Sequence, residues 1–270
     1  MKFQAALLKE VGAPLAVERV TLAPLEPGDV LIRNRASGLC HTDLEVIDGS
    51  LAYPLPIVLG HEGAGIVEAV GGAVTQVRPG DHVVASWNPH CGHCYYCERD
   101  LPILCEPFTR EQPAGNLLDG ASRLRWNGAR LNHFSVVSSH AEYSVVPESG
   151  AIKVPDAIPF DRACLLGCGV MTGVGAVSRL ARVEAGANVA VIGCGAVGLN
   201  AIQGAALEQA ACVIAVDRDP AKLALAARFG ATHTLTVDAS TLDSVKALTK
   251  GRGADHVFEA AGAEASLQLA

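Results

Sequence analysis

The densest cluster of chemically useful side chains is CGHCYYCERDLPILC, which gathers Cys91, Cys94, Cys97 and Cys105 out of nine cysteines in the chain. Short gaps keep the loop-closure cost small, so all four thiols can turn inward from one lobe. Four thiolates fill a tetrahedral shell with bonds of about 2.3 Å and leave no position open, as around a structural zinc ion. Iron–sulfur ligation competes with that reading, because Cys-x-x-Cys-x-x-Cys also occurs in ferredoxins, and a pair of disulfides is a third. Three dispersed residues have a complementary character: Cys40 in GLCHTD, His61 in GHEGAG and Cys168 in LLGCGVMTG. If they converge, they form a Cys–His–Cys set with a fourth position open, as a catalytic zinc requires. The glycines around His61 read as room for its ring to approach a ligand. Two zinc ions per chain are expected.

A second kind of chemistry lies in Gly193-Cys194-Gly195-Ala196-Val197-Gly198, which follows the apolar run NVAVI, opens a helical stretch, and precedes Asp217 at the end of the next apolar run. In that context the glycines are a dinucleotide fingerprint. Gly193 permits a tight turn, Gly195 lets the backbone approach a pyrophosphate, and Gly198 lets the helix pack closely. The helix start at Ala196 and Val197 offers free N–H groups to phosphate. Asp217 can accept hydrogen bonds from ribose hydroxyls and repels a 2′-phosphate, whereas Arg218 is a counter-signal. NAD is expected over NADP.

Elements must bring these residues together, and the chain has two grammars. Up to about residue 155, Pro and Gly break it into short β-branched runs at 30–33 (VLIR), 65–70 (GIVEAV), 81–85 (DHVVA) and 143–146 (YSVV). That pattern predicts a β-rich domain. Beyond it, a helical stretch over 161–183 is followed by strands at 188–192, 212–217, 232–237 and 255–260. Helices at 196–209, 220–229 and 240–250 alternate with them, which predicts a parallel sheet with covered faces. Domains are expected at 1–165 and 166–270. Bulk properties bound the partners. Half of the 270 residues are hydrophobic, 28 are glycine, and net charge is −7 with no basic cluster. This points to a globular protein, with neither nucleic acid nor membrane as partner. MKFQAALLKE lacks a signal-peptide pattern, so a cytoplasmic location is expected, where cysteines serve as metal ligands or packing more often than as disulfides.

Taken in order, GLCHTD, GHEGAG, CGHCYYC with Cys105, GCGVMTG, and GCGAVG with Asp217 resemble the zinc-dependent medium-chain alcohol dehydrogenases. The stretch 117–146 is similar to the alcohol and glutathione-linked formaldehyde dehydrogenase branch. The resemblance implies an α/β plus β architecture: a GroES-like catalytic domain followed by a Rossmann domain, with the active site in the cleft between them. Cys40, His61 and Cys168 would hold the catalytic zinc, with Glu62 in its second shell and Asp43 orienting His61. His41 would lie near the cofactor pyrophosphate, Thr172 near the nicotinamide, and Lys222 beside Asp217 at the adenosine ribose. Trp87 and Phe134 would line the alcohol pocket. Zinc would polarise the substrate oxygen, Thr42 would take its proton, and a hydride would pass to the nicotinamide. Thr42 also reads as the N-cap of the helix that follows it.

Three departures from the family pattern shape the expectations. Glu45 stands where many members place a relay histidine. Thr109 stands where the glutathione-linked branch has an arginine, with Arg110 one step on, and the loop 49–57 (GSLAYPLPI) is uncharged. A primary, possibly aromatic, alcohol is therefore preferred over S-(hydroxymethyl)glutathione, which remains the alternative. The chain also stops before the last two strands of a six-stranded Rossmann sheet, so it reads as C-terminally truncated, and a homo-oligomer is expected at full length. A non-catalytic nucleotide-binding or scaffold protein is the competing class. Cys164, Cys194 and Cys212 read as packing residues, and His82, His133, His140, His233 and His256 are assigned no role.

Overall fold

The computed structural model describes residues 1–270, and the chain divides into Met1–Cys168 and Gly169–Ala270. The first unit runs β1 (Lys2–Leu8), β2 (Ala16–Leu22), β3 (Asp29–Ser37), α1 (His41–Asp48), β4 (Ile57–Val58), β5 (Gly63–Val70) and β6 (His82–Ala85). It continues with α2 (Glu106–Glu111), β7 (Leu124–Trp126), β8 (Ala129–Arg130), β9 (Asn132–His133), β10 (Tyr143–Pro147), β11 (Ala151–Lys153) and α3 (Phe160–Ala163). One sheet has the order β8-β7-β2-β1-β4-β9 and the other β10-β3-β5-β6-β11. In β1, Phe3, Ala5 and Leu7 point inward while Lys2 and Gln4 are exposed, so alternation selects the buried face. Val30, Ile32, Val67, Val83 and Val146 form the core on the β3–β5 side.

Sheet ends position the candidate ligands. Cys40 lies just past β3 and is the N-cap residue of α1. His61 and Glu62 sit between β4 and the start of β5. Cys168 closes the unit after a short 3-10 turn, Cys164–Gly167. The expected helix over 161–183 is not continuous. It breaks at Cys168, whose backbone (φ −141°, ψ −78°) leaves the helical region. Gly167 shows what holds the chain there: a Cβ on it would lie 2.7 Å from the carbonyl oxygen of Ala85 in β6.

The second unit begins with α4 (Gly169–Gly175) and a π-helical segment, Ala176–Ala181. It then alternates β12 (Asn188–Ile192), α5 (Ala196–Leu207), β13 (Cys212–Asp217), α6 (Pro220–Arg228), β14 (His233–Thr236), α7 (Thr241–Leu248), β15 (His256–Glu259) and α8 (Glu264–Leu269). The four strands are parallel in the order β14-β13-β12-β15. All six residues of β13 are buried, and each of Val213, Ile214 and Val216 contributes about 1.5–3 kcal/mol relative to exposure. Glycines set the helix contacts. A Cβ on Gly173 in α4 would lie 2.4 Å from Val197 O and 2.6 Å from Asn200 Cβ in α5. The two helices therefore meet backbone to backbone.

Candidate metal centre and nucleotide turn

Cys40, His61, Glu62 and Cys168 converge in the first unit, each with a ligand atom within 4.8 Å of the others. Asp43 is the knot of this cluster. Its Oδ2 accepts the Cys40 N–H at 3.0 Å and its Oδ1 accepts the Gly60 N–H at 3.0 Å. The same Oδ1 lies 3.6 Å from His61 Nδ1, an ion-pair distance rather than a hydrogen bond. Asp43 thus ties together the backbones of both ligand loops, beyond the ring orientation expected of it. Cys40, and not Thr42, caps α1, because the Asp43 carboxylate three residues on takes the free N–H of Cys40. The Thr42 hydroxyl lies 3.6 Å from Cys40 Sγ.

Electrostatics in the cluster follow from crowding of like charges. Hydrogen bonds from the Cys168 thiol and the His61 ring bring Cys40 down to about 3, against burial. Cys168 is driven far up by the Cys40 thiolate and by burial, with Glu62 adding to the effect. Burial opposes the charged form of His61, but Asp43 and Cys40 outweigh it and lift the ring to about 9. Burial likewise opposes ionisation of Asp43, and His61, the Cys40 N–H and His140 together hold its carboxyl below the usual range. Two adjacent thiols of which only one ionises are a set that a divalent cation would deprotonate together. Two sulfurs, an imidazole and a carboxylate suit zinc.

Glu62 joins the ligand group itself, closer than the second-shell place expected for it. Gly38 accommodates it: a Cβ there would fall 1.9 Å from Glu62 Oε2. The glycines beside His61 do something other than clear its ring. A Cβ on Gly60 would lie 2.6 Å from the His140 nitrogen and from Ser139 Oγ, and one on Gly63 would lie 2.8 Å from Ser139 Cβ. Their absent side chains make room for residues 139–140.

Cys91, Cys94, Cys97 and Cys105 also converge within 4.8 Å, as free thiols. Cys91 and Cys97 Sγ are 4.0 Å apart, close to the roughly 3.8 Å separation that a tetrahedral shell with 2.3 Å bonds dictates. This spacing suits one ion bound by all four thiolates better than a cluster of several irons, which would hold the sulfurs further apart. Burial pushes Cys105 up to about 12, while the backbone N–H of Cys97 helps bring Cys94 down to about 6. Of the two residues expected at the pocket, Phe134 is fully buried and meets the His61 ring edge-on at 5.4 Å. Trp87 packs toward Phe108 and the cysteine lobe. Glu45 is half-buried in α1, one turn after Thr42.

In the second unit, Gly193 has φ +93°, and a Cβ there would meet Ala261 N at 2.7 Å. Gly195 caps α5 and faces open space, so a ligand can approach its backbone. A Cβ on Gly198 would fall 1.8 Å from the Gly193 carbonyl oxygen, so α5 starts directly against the turn. Ala196 and Val197 are the first residues of α5. Asp217 ends β13 and is already bound to the turn: Oδ2 accepts the Cys194 N–H at 2.7 Å and Oδ1 the Asp219 N–H at 2.9 Å. Burial opposes its ionisation, but these donors and the Lys222 charge keep its carboxyl below the usual range. His41, Thr172, Arg218 and Lys222 are all exposed. Cys164, Cys194 and Cys212 are buried as packing residues.

Comparison with known proteins gives concordant matches. Residues 26–156 match the family model of the alcohol dehydrogenase GroES-like domain, and residues 196–270 match that of the zinc-binding dehydrogenases. An S-(hydroxymethyl)glutathione dehydrogenase of Escherichia coli O1:K1 / APEC is 41% identical over 266 residues, spanning 97% of this chain and 72% of that protein. The crystal structure of an alcohol dehydrogenase zinc-binding domain protein from Burkholderia ambifaria superposes with TM-score 0.92 at 41% identity, over 99% of this chain and 72% of that one. Benzyl alcohol dehydrogenase from Acinetobacter calcoaceticus gives TM-score 0.91 at 34% identity, again over 99% and 72%.

Proposed function

The chain belongs to the zinc-binding alcohol dehydrogenase family, and on that premise we propose that it interconverts a primary alcohol, aromatic ones included, and its aldehyde with NAD. The observation that carries this reading is the convergence of Cys40, His61, Glu62 and Cys168 on one point. Zinc bound there would supply Lewis acidity to a substrate oxygen, and NAD would accept the hydride. Cys40, His61 and Cys168 would hold the metal, and Asp43 would fix the first two in place. Thr42, with its hydroxyl beside Cys40, receives the substrate proton, and Glu45, one turn further along α1, passes it outward. Glu62 offers a carboxylate oxygen to the same group of ligand atoms. Asp217 and the turn from Gly193 to Gly198 would hold the dinucleotide, with Lys222 beside Asp217 and Thr172 exposed in the same unit.

One observation supports an alcohol over the glutathione adduct. Arg110, the cation nearest the position where the glutathione-linked branch carries arginine, is paired with Glu111 at 2.6 Å, and Thr109 turns its hydroxyl to the Cys105 carbonyl. A second reading, oxidation of S-(hydroxymethyl)glutathione, is favoured by the name carried by the 41%-identical relatives. Metal analysis and an alcohol panel with NAD, followed through reduced-cofactor absorbance, test both. Two zinc ions per chain, one for each cluster, and turnover of benzyl alcohol above the glutathione adduct are expected. A single zinc, or no cofactor reduction with any alcohol, would overturn the proposal; faster turnover of the adduct would select the second reading.

A further inference from the structure

Cys40 and His61 belong to loops that leave paired strand ends, where Ser37 faces Gly63 and the Gly38 N–H donates to Glu62 O at 2.9 Å, and Asp43 ties the same loops from the other side. Residues 139–140 lie across the two loops. Toward the Cys40 loop, Ser139 Oγ hydrogen-bonds Ser37 Oγ at 2.7 Å, and His140 Nε2 lies 3.3 Å from the Gly38 carbonyl oxygen. Toward the His61 loop, the Ser139 N–H donates to Gly60 O and the His140 N–H to Leu59 O, both at 2.9 Å. Contact is tight enough that only glycine fits at position 60, where a Cβ would come within 2.5 Å of His140 Cδ2. We propose that Ser139 and His140 are positioning residues for the metal centre: a further brace joining the Gly38 and Gly60 loops, which together with Asp43 sets the gap across which Cys40 and His61 would face one ion.

The approach to the brace is strained. Ser135, Val136 and Ser138 all have positive φ (50°, 60° and 59°), and Val136 is β-branched, for which that region is most disfavoured. Such a path persists only where its surroundings over-determine it. They do so here. Phe134 N–H donates to Ser138 Oγ at 3.0 Å, Asn34 Nδ2 on β3 holds Ala141 O at 2.8 Å, and Ser139 is buried. Phe134 at the start of this loop also packs edge-on against the His61 ring. One strained segment therefore contacts the imidazole from its side and grips the loop backbone behind it, while supplying no ligand atom of its own.

This inference rests on the reading that Cys40, His61 and Cys168 hold the metal, and its test separates the two. The full chain is loaded with cobalt(II) in place of zinc, and metal loss to a chelator is followed through absorption bands that differ between a four-thiolate set and a mixed thiolate–imidazole set. The four-cysteine lobe is the internal control. Ser37→Ala and His140→Ala are each expected to speed cobalt loss from the mixed set by about tenfold, as loss of an outer-shell support typically does. His140→Gln, which keeps a donor for Gly38 O, restores retention. Ser37→Ala attacks the same hydroxyl pair from the opposite side and covers a His140 variant that fails to fold. Unchanged loss in these variants, or parallel loss from both sets, overturns the brace. A wild-type chain that takes cobalt only at the four thiols overturns the metal reading, and the brace with it.

Discussion

Acidification from about pH 7.5 to about pH 5 is expected to remove about 2 kcal/mol of stability from the first unit through His133 alone. His133 has no exposed surface. Its Nε2 accepts the Arg123 N–H at 3.3 Å, and Nδ1 is buried without a partner. Burial, followed by the charges of Arg123 and Arg130, brings the ring down to about 3 from 6.5. Arg123 stays beside it because Asp29 and Asp119 hold the guanidinium at 2.6 and 2.5 Å. Between the folded and unfolded values only the unfolded chain binds the proton. The contribution is thus complete above 6.5 and falls by about 1.4 kcal/mol per pH unit until about 3. His133→Gln keeps an acceptor but cannot titrate. Urea unfolding followed by tryptophan fluorescence reads this unit selectively, since Trp87 and Trp126 are the chain's two tryptophans and both lie within it. At one fixed free zinc concentration, the wild type loses about 2 kcal/mol more than the variant over this range. Equal losses would show that the proton is taken up elsewhere and refute the assignment.

Other substitutions probe the clusters. Asp43→Ala leaves the Cys40 and Gly60 N–H groups without their acceptor, costing about 1–3 kcal/mol for each, and chelator titration is expected to show about 10–100-fold weaker metal retention. Gly38→Ala drives Glu62 Oε2 from its place, because the new Cβ would overlap it at 1.9 Å. Glu62 Cβ, 3.0 Å from the same point, must give as well, so chemical denaturation is expected to show a loss of about 1–3 kcal/mol, while the cobalt spectrum of the Cys40–His61–Cys168 set shifts. Gly198→Ala meets backbone instead of a mobile side chain, at 1.8 Å from Gly193 O. Forced displacement of α5 costs about 1–3 kcal/mol, and calorimetry is expected to show weakened NAD binding with metal content unchanged.

Legibility in the sequence followed the locality of the forces. The Cys91–Cys105 set and the Gly193–Gly198 turn could be read because each is specified by a short segment, and the β13 run was bounded to the residue by its continuous burial. The pairing of β1 with β2 was missed, since KFQAALL is rich in residues that favour helix, and only the register Phe3↔Val20 and Ala5↔Glu18 makes it a strand. The break at Cys168 was hidden for a similar reason: it depends on Gly167 lying against β6, a contact that no local propensity encodes. His140 offered no signal at all. Its partners at Gly38 and Leu59 lie about a hundred and about eighty residues away along the chain, although the glycines flanking His61 marked a close approach whose cause was misread.

Asp217 gives a last consequence. Because its carboxylate is already fastened to the N–H of Cys194, the end of β13 and the glycine turn are a single preorganised unit before any ligand arrives. Each oxygen keeps a lone pair for an incoming hydroxyl, so if Asp217 receives a ribose as proposed, its recognition would require little further ordering of the chain. A substitution at position 217 would accordingly disturb two things together, the proposed contact to the sugar and the shape of the glycine turn that Asp217 holds. Exchanging one nucleotide preference for another therefore calls for a new acceptor for the Cys194 N–H as well as a new partner for the ribose.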